Sequence, residues 1–133
     1  MSFIINTTIG ILSKGITNFA KDLGINKENV QIIVKSDEKT GLCYYKCLNF
    51  KPLNQVSFKE ILGQKIDILN YEGKSLTFMG DTLKKYAEES NAEIENVLVF
   101  ITLKEEINLV VYINNKYFKT ISLINHFKEM GIK

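Results

Sequence analysis

Apolar side chains recur at Ile9, Leu12, Ile16, Phe19, Ala20 and Leu23, the spacing of one face of an α-helix. Thr7 or Thr8 supplies an N-cap, and Gly24 followed by apolar Ile25 has the composition of a Schellman ending. Ahead of this helix, residues 2–6 read as a short strand. Residues 29–36 and 42–50 are rich in β-branched and aromatic side chains and predict two strands around a polar turn that ends at Gly41. Pro52 is expected to stop the second strand. Ser57-Phe58-Lys59-Glu60 has the capping-box pattern of a short helix ending at Gly63.

The second half follows the same order. Residues 65–71 predict a strand and 72–74 a turn. A helix then runs to about Asn91. It starts near Ser75, or after Gly80 with Asp81 as cap if residues 75–78 extend as a strand instead. Strands are expected at 96–103 and 107–113. Asn114-Asn115 makes a tight turn, because asparagine tolerates positive φ. A third strand at 116–120 and a helix over 121–130, ending at Gly131, complete the chain. Val97 to Ile101 is apolar at every position, which predicts a central strand covered on both faces.

The similarity of the halves extends to residues. At an offset of 67, Phe19-Ala20 aligns with Tyr86-Ala87, Glu28-Asn29-Val30 with Glu95-Asn96-Val97, and Ile32-Ile33-Val34 with Val99-Phe100-Ile101. Leu42 aligns with Leu109 and Tyr45 with Tyr112. Phe58-Lys59-Glu60 recurs at an offset of 69 as Phe127-Lys128-Glu129. The helical stripe reappears as Leu76, Met79, Leu83, Tyr86, Ala87 and Ser90. Self-similarity at a fixed period is the mark of a repeated structural unit. The expectation is an α+β protein: one compact domain over 1–133, with an internal duplication of 1–66 and 67–133. Two tandem β-α-β-β-α units would share a core, with helices packed on an antiparallel-rich sheet. One unit of this size buries too little apolar surface to be comfortable alone.

Composition changes this picture in two ways. All 17 basic residues are lysine, and isoleucine (18), lysine and asparagine (13) dominate, the bias of an AT-rich viral or bacterial coding sequence. Without arginine there is no bidentate capture of phosphate or carboxylate. The net charge of +2 is near neutral, yet residues 1–66 carry 9 Lys against 5 acidic residues and residues 67–133 carry 8 against 10. No apolar run is long enough to span a membrane, and the start of the chain lacks the pattern of a signal peptide.

Candidate chemistry is sparse. Cys43 and Cys47 lie four apart on one strand, so their Cα atoms stand roughly 13 Å apart, too far for a disulfide. They read as two small apolar side chains on the face they share with Tyr45. His126, the one histidine, lies in the last helix as a packed boundary residue or pH-sensitive contact; a Cys–His pair would need that helix beside strand 42–50. Glu88, Glu89, Glu93 and Glu95 match no calcium loop and read as a solvated helix face. Aromatics interleaved with lysine give two candidate clusters that suit single-stranded nucleic acid, first Tyr45, Lys46 and Lys51 with Tyr44 and Phe50, second Tyr117 with Lys116 and Lys119, although tyrosines in a sheet read more simply as core or interface residues.

These observations favour a small non-catalytic protein that binds another protein or assembles, an accessory, structural or inhibitory component, with a homo-oligomer in reach. The alternative is a nucleic-acid-binding module using the lysine-rich first half. No catalytic residue, cofactor or metal is expected, and no membrane partner. The expected location is cytoplasmic, or the virion if the chain is viral.

Overall fold

The computed structural model describes residues 3–37, 41–56 and 78–131. The strand expected at 65–71, the helix at 57–63 and the segment 75–77 lie outside the described residues.

Helix α1 spans Phe3–Leu23. Residues 3–6 therefore belong to a helix and not to the expected strand. The reason is that buried Ile5 continues the stripe of Ile9, Leu12 and Ile16 by one turn, so packing overrides the β-preference of isoleucine. Thr8 is accordingly buried within the helix and not at its start. The helix ends in a Schellman motif at Gly24 (φ +68°): Ile25 N–H donates to Ala20 C=O at 3.1 Å and Gly24 N–H to Lys21 C=O at 3.1 Å.

A 3₁₀ turn at Lys27–Asn29 leads into β1 (Val30–Asp37), β2 (Gly41–Leu48) and β3 (Lys51–Val56). Pro52 does not end the sheet here. It sits within β3, an edge strand, where a missing N–H breaks no inner ladder. Helix α2 (Phe78–Glu89) precedes a second 3₁₀ turn at Ile94–Asn96. Strands β4 (Val97–Leu103), β5 (Ile107–Ile113) and β6 (Lys116–Ser122) follow, and α3 (Leu123–Glu129) closes the described chain. The six strands form one antiparallel sheet in the order β3-β2-β1-β4-β5-β6.

Among the described residues each half thus runs helix, 3₁₀ turn, three strands, and the second adds α3. Their local geometry coincides. Asn91 (φ +52°) ends α2 with the Schellman bonds seen at Gly24: Ala92 N–H reaches Ala87 C=O at 2.9 Å, and Asn91 N–H reaches Glu88 C=O at 3.3 Å. Positive φ occurs at Asn49 and Phe50, and again at Asn114 and Asn115. Asn49 N–H donates to Asn29 C=O at 2.8 Å, and Asn114 N–H to Asn96 C=O at 3.0 Å. Register shifts fall between Lys46 and Cys47 and between Val111 and Tyr112, leaving Leu53 and Phe118 as the extra residues. Ile33 pairs with Phe100, the residue 67 positions on.

Two of the expected correspondences shift. Val34 pairs with Tyr44 and Ile101 with Leu109, so Leu109 corresponds to Tyr44 and not to Leu42, and Val110 rather than Tyr112 corresponds to Tyr45. The β4–β5 hairpin is two residues shorter than the β1–β2 hairpin, which changes the offset to 65 beyond the turn.

Helices cover one face of the sheet. Alternate residues of β4 (Val97, Val99, Ile101) and β5 (Leu109, Val111, Ile113) face Leu12, Ile16 and Phe19 of α1, Met79, Leu83 and Tyr86 of α2, and Leu123 and Phe127 of α3. Leu23, the last member of the stripe, is exposed because the chain is already turning away at Gly24. On the opposite face Ile33, Cys47 and Phe100 form a smaller cluster with partly buried Leu98, Val110 and Tyr112. β4 is therefore apolar on both faces, as the unbroken run from Val97 to Ile101 predicts, and β1 adds Ile33 to the second face.

Candidate functional site

The sequence-predicted surface residues fall at both ends of the sheet. Tyr45 and Lys46 lie on β2 and Lys51 opens β3, whereas Lys116, Tyr117 and Lys119 lie on β6. β1, β4 and β5 separate β2 from β6, a distance of roughly 19 Å at about 4.8 Å per strand step. The two groups are not brought together. Within the first, Tyr45 pairs with Ile33 in the ladder, and the Lys46 ammonium stands 5.4 Å from the centroid of the Phe19 ring on the helical side. Phe50 is anchored by its own backbone: its N–H donates to Oε1 of buried Gln31 at 2.7 Å, and its ring meets Phe100 edge-on at 5.2 Å.

The second group lines an open strand. β6 is the last strand of the sheet, hydrogen-bonded to β5 alone among the described residues. Lys116 and Tyr117 are exposed, Tyr117 at 58%, and Phe118 is 40% exposed. The Tyr117 ring leans edge-on against Tyr112 at 5.8 Å, and its hydroxyl lies 2.8 Å from Thr120 Oγ1. Phe118, the bulged residue, meets the Tyr86 ring edge-on at 5.8 Å. Lys119 Nζ pairs with Glu129 at 3.6 Å and stands 5.6 Å from the Tyr86 ring centroid.

Behind this strand lies the one buried cluster that unites hydroxyls with an imidazole. His126 is fully buried, not a boundary residue. Thr82 Oγ1 is 2.7 Å from its Nε2 and the Tyr86 hydroxyl is 3.4 Å from its Nδ1. A neutral imidazole donates from one nitrogen and accepts at the other, and both hydroxyls can take either role. Burial pushes the imidazole down to about 4; Glu129 opposes this, and Lys85 and Lys119 add to it. Burial pushes the Tyr86 hydroxyl up to about 12, with Glu129 and Glu89 acting in the same direction. At neutral pH the cluster is uncharged and ties α2 to α3. Sequence reading missed Thr82 and Tyr86 as its members. Their spacing of four, with a threonine inside an apolar stripe, was the available signal.

Cys47 is buried against Ile33 and Phe100, and burial pushes its thiol up to about 12. It lies on the face opposite the helices, away from His126. A cleft of about 170 Å³ lies between α1, the β4–β5 turn and α3, lined by Ile9, Ser13, Leu103 and Leu123 with Glu105 and Glu106 alongside. Among the described residues no three of His, Cys, Asp and Glu gather to hold a metal ion. Among them, too, no helix is long and apolar enough to cross a membrane. The chain matches no protein-family model, no curated protein and no solved structure.

Proposed function

We propose that this is a small non-catalytic protein that works by binding another protein, an accessory or assembly component built from two tandem units of common origin. The observation that carries this reading is the outer edge of β6, where Tyr117 and Phe118 expose aromatic surface on a strand that has no neighbour on its outer side among the described residues. Aromatic side chains are enriched where proteins meet, and an unpaired strand is a template for association. The buried histidine supports the same reading, because its ring nitrogens are engaged by Thr82 and Tyr86 inside the core. The matching Schellman turns, 3₁₀ turns and bulges favour a tandem origin for the two units.

The test is capture from the native source with the wild-type chain and with a Tyr117→Ser/Phe118→Ser double variant, read by mass spectrometry. A protein held by the wild type and lost from the variant is the expected result. Retention of nucleic acid alone, weakening steeply with salt, would instead favour the nucleic-acid alternative.

A further inference from the structure

Resting on that reading, we propose that the outer edge of β6 takes an extended, acidic segment of the partner as a seventh strand of the sheet. An edge strand offers a row of N–H and C=O groups spaced for another chain, and strand addition is a recurring way to bind extended peptides. Residues 116–122 contain no proline and no glycine, so nothing in the strand itself forbids the pairing.

Charge decides the kind of segment. β6 carries Lys116 and Lys119 and no acidic residue. A second copy pairing antiparallel about the middle of the strand would set Lys119 against Lys119, and like charges directly opposite each other are destabilising. Lysines and a bulge are the usual guards of a sheet edge, and both are present here. The same guard becomes an attraction for a strand bearing glutamate or aspartate. Lys119 is already paired with Glu129, which leaves exposed Lys116 as the main point of contact. Tyr117 and Thr120 occupy the other face of the strand, joined through their hydroxyls. There the incoming segment meets an exposed ring and fits it with a β-branched or aromatic side chain. Nucleic acid fits less well, because Lys119 is held by the Glu129 carboxylate and the one exposed lysine left on the strand, Lys116, is a poor track for a row of phosphates.

The probes are two synthetic heptapeptides of alternating valine with glutamate or with lysine, and a thymidine oligonucleotide. Each is added at millimolar concentration to the full chain while backbone amide exchange is followed residue by residue. The glutamate peptide is expected to slow exchange at alternate amides of β6 and to be preferred over the lysine peptide by up to about fivefold. Lys116→Glu is expected to invert that preference without altering amides of β1 and β4. No protection in β6 from either peptide, equal protection from both, or protection by the oligonucleotide in their place would overturn the inference. A captured partner that leaves the β6 amides unprotected would overturn strand addition while the protein-binding reading stands. If no protein is captured while the glutamate peptide still protects β6, it is the reading that fails.

Discussion

His126 shows how one residue couples the core to pH. In the folded chain its imidazole stays neutral down to about 4, and in the unfolded chain it takes a proton near the usual 6.5. Between those values the unfolded state binds more protons. Stability is therefore full above about 6.5 and falls as pH drops toward 4, by up to about 3 kcal/mol. Urea unfolding from pH 7 to pH 4 should show this decline, and His126→Gln should flatten it even if the variant is less stable throughout. Cys47 gives a second residue-level expectation. A thiol raised to about 12 inside the sheet is a poor nucleophile, so alkylation mapped by mass spectrometry should spare Cys47 until the chain unfolds. Cys47→Ala should cost about 1 kcal/mol in denaturant. Fast alkylation of Cys47 under native conditions would mean that its face of the sheet opens.

At the scale of elements, Gly10 inside α1 and Gly24 just past its end carry opposite expectations. A Cβ at Gly10 meets nothing within 4 Å, and the residue is exposed in mid-helix, so Gly10→Ala should stabilise by about 1 kcal/mol. Gly24 has equally open space but sits at φ +68°, where an L-residue is strained, so Gly24→Ala should cost about 1 kcal/mol. Thermal unfolding of the pair separates conformational cost from steric fit. Elements of this kind were largely legible in the sequence, since Gly24, Asn114-Asn115 and Gly131 each announce a local geometry that the chain adopts. What was not legible depends on distant partners. Residues 3–6 turn helical because of a core they meet only after folding, and β3 runs through Pro52 because it lies at an edge. Strand order is equally silent in sequence, so nothing in it tells that three strands part the lysine–aromatic residues of β2 from those of β6. Burial of His126 was hidden for the same reason: its partners lie 40 and 44 residues back.

At the scale of the whole molecule, the two halves meet through their most apolar strands. β1 pairs with β4 at the centre of the sheet, and the main core joins Leu12, Ile16 and Ile32 to Leu83, Ile101 and Leu109. Among the described residues the main core draws on both halves. Separated, the first half would leave β1 as an open edge with apolar side chains on both faces, and the second would do the same with β4. A chain of 66 or 67 residues is in the range where a single core is marginal even when complete. Residues 1–66 and 67–133 made as separate chains should therefore each lack a cooperative unfolding transition. Mixed in equal amounts, they should recover one, because the β1–β4 ladder and the shared core can form between chains as well as within one. The recovered transition should move to higher temperature as concentration rises, since association now supplies stability that connection supplied before. Calorimetry of each fragment and of the mixture tests this. A sharp transition from either fragment alone would show that the halves are independent domains, and that the central pairing joins two finished structures instead of completing one.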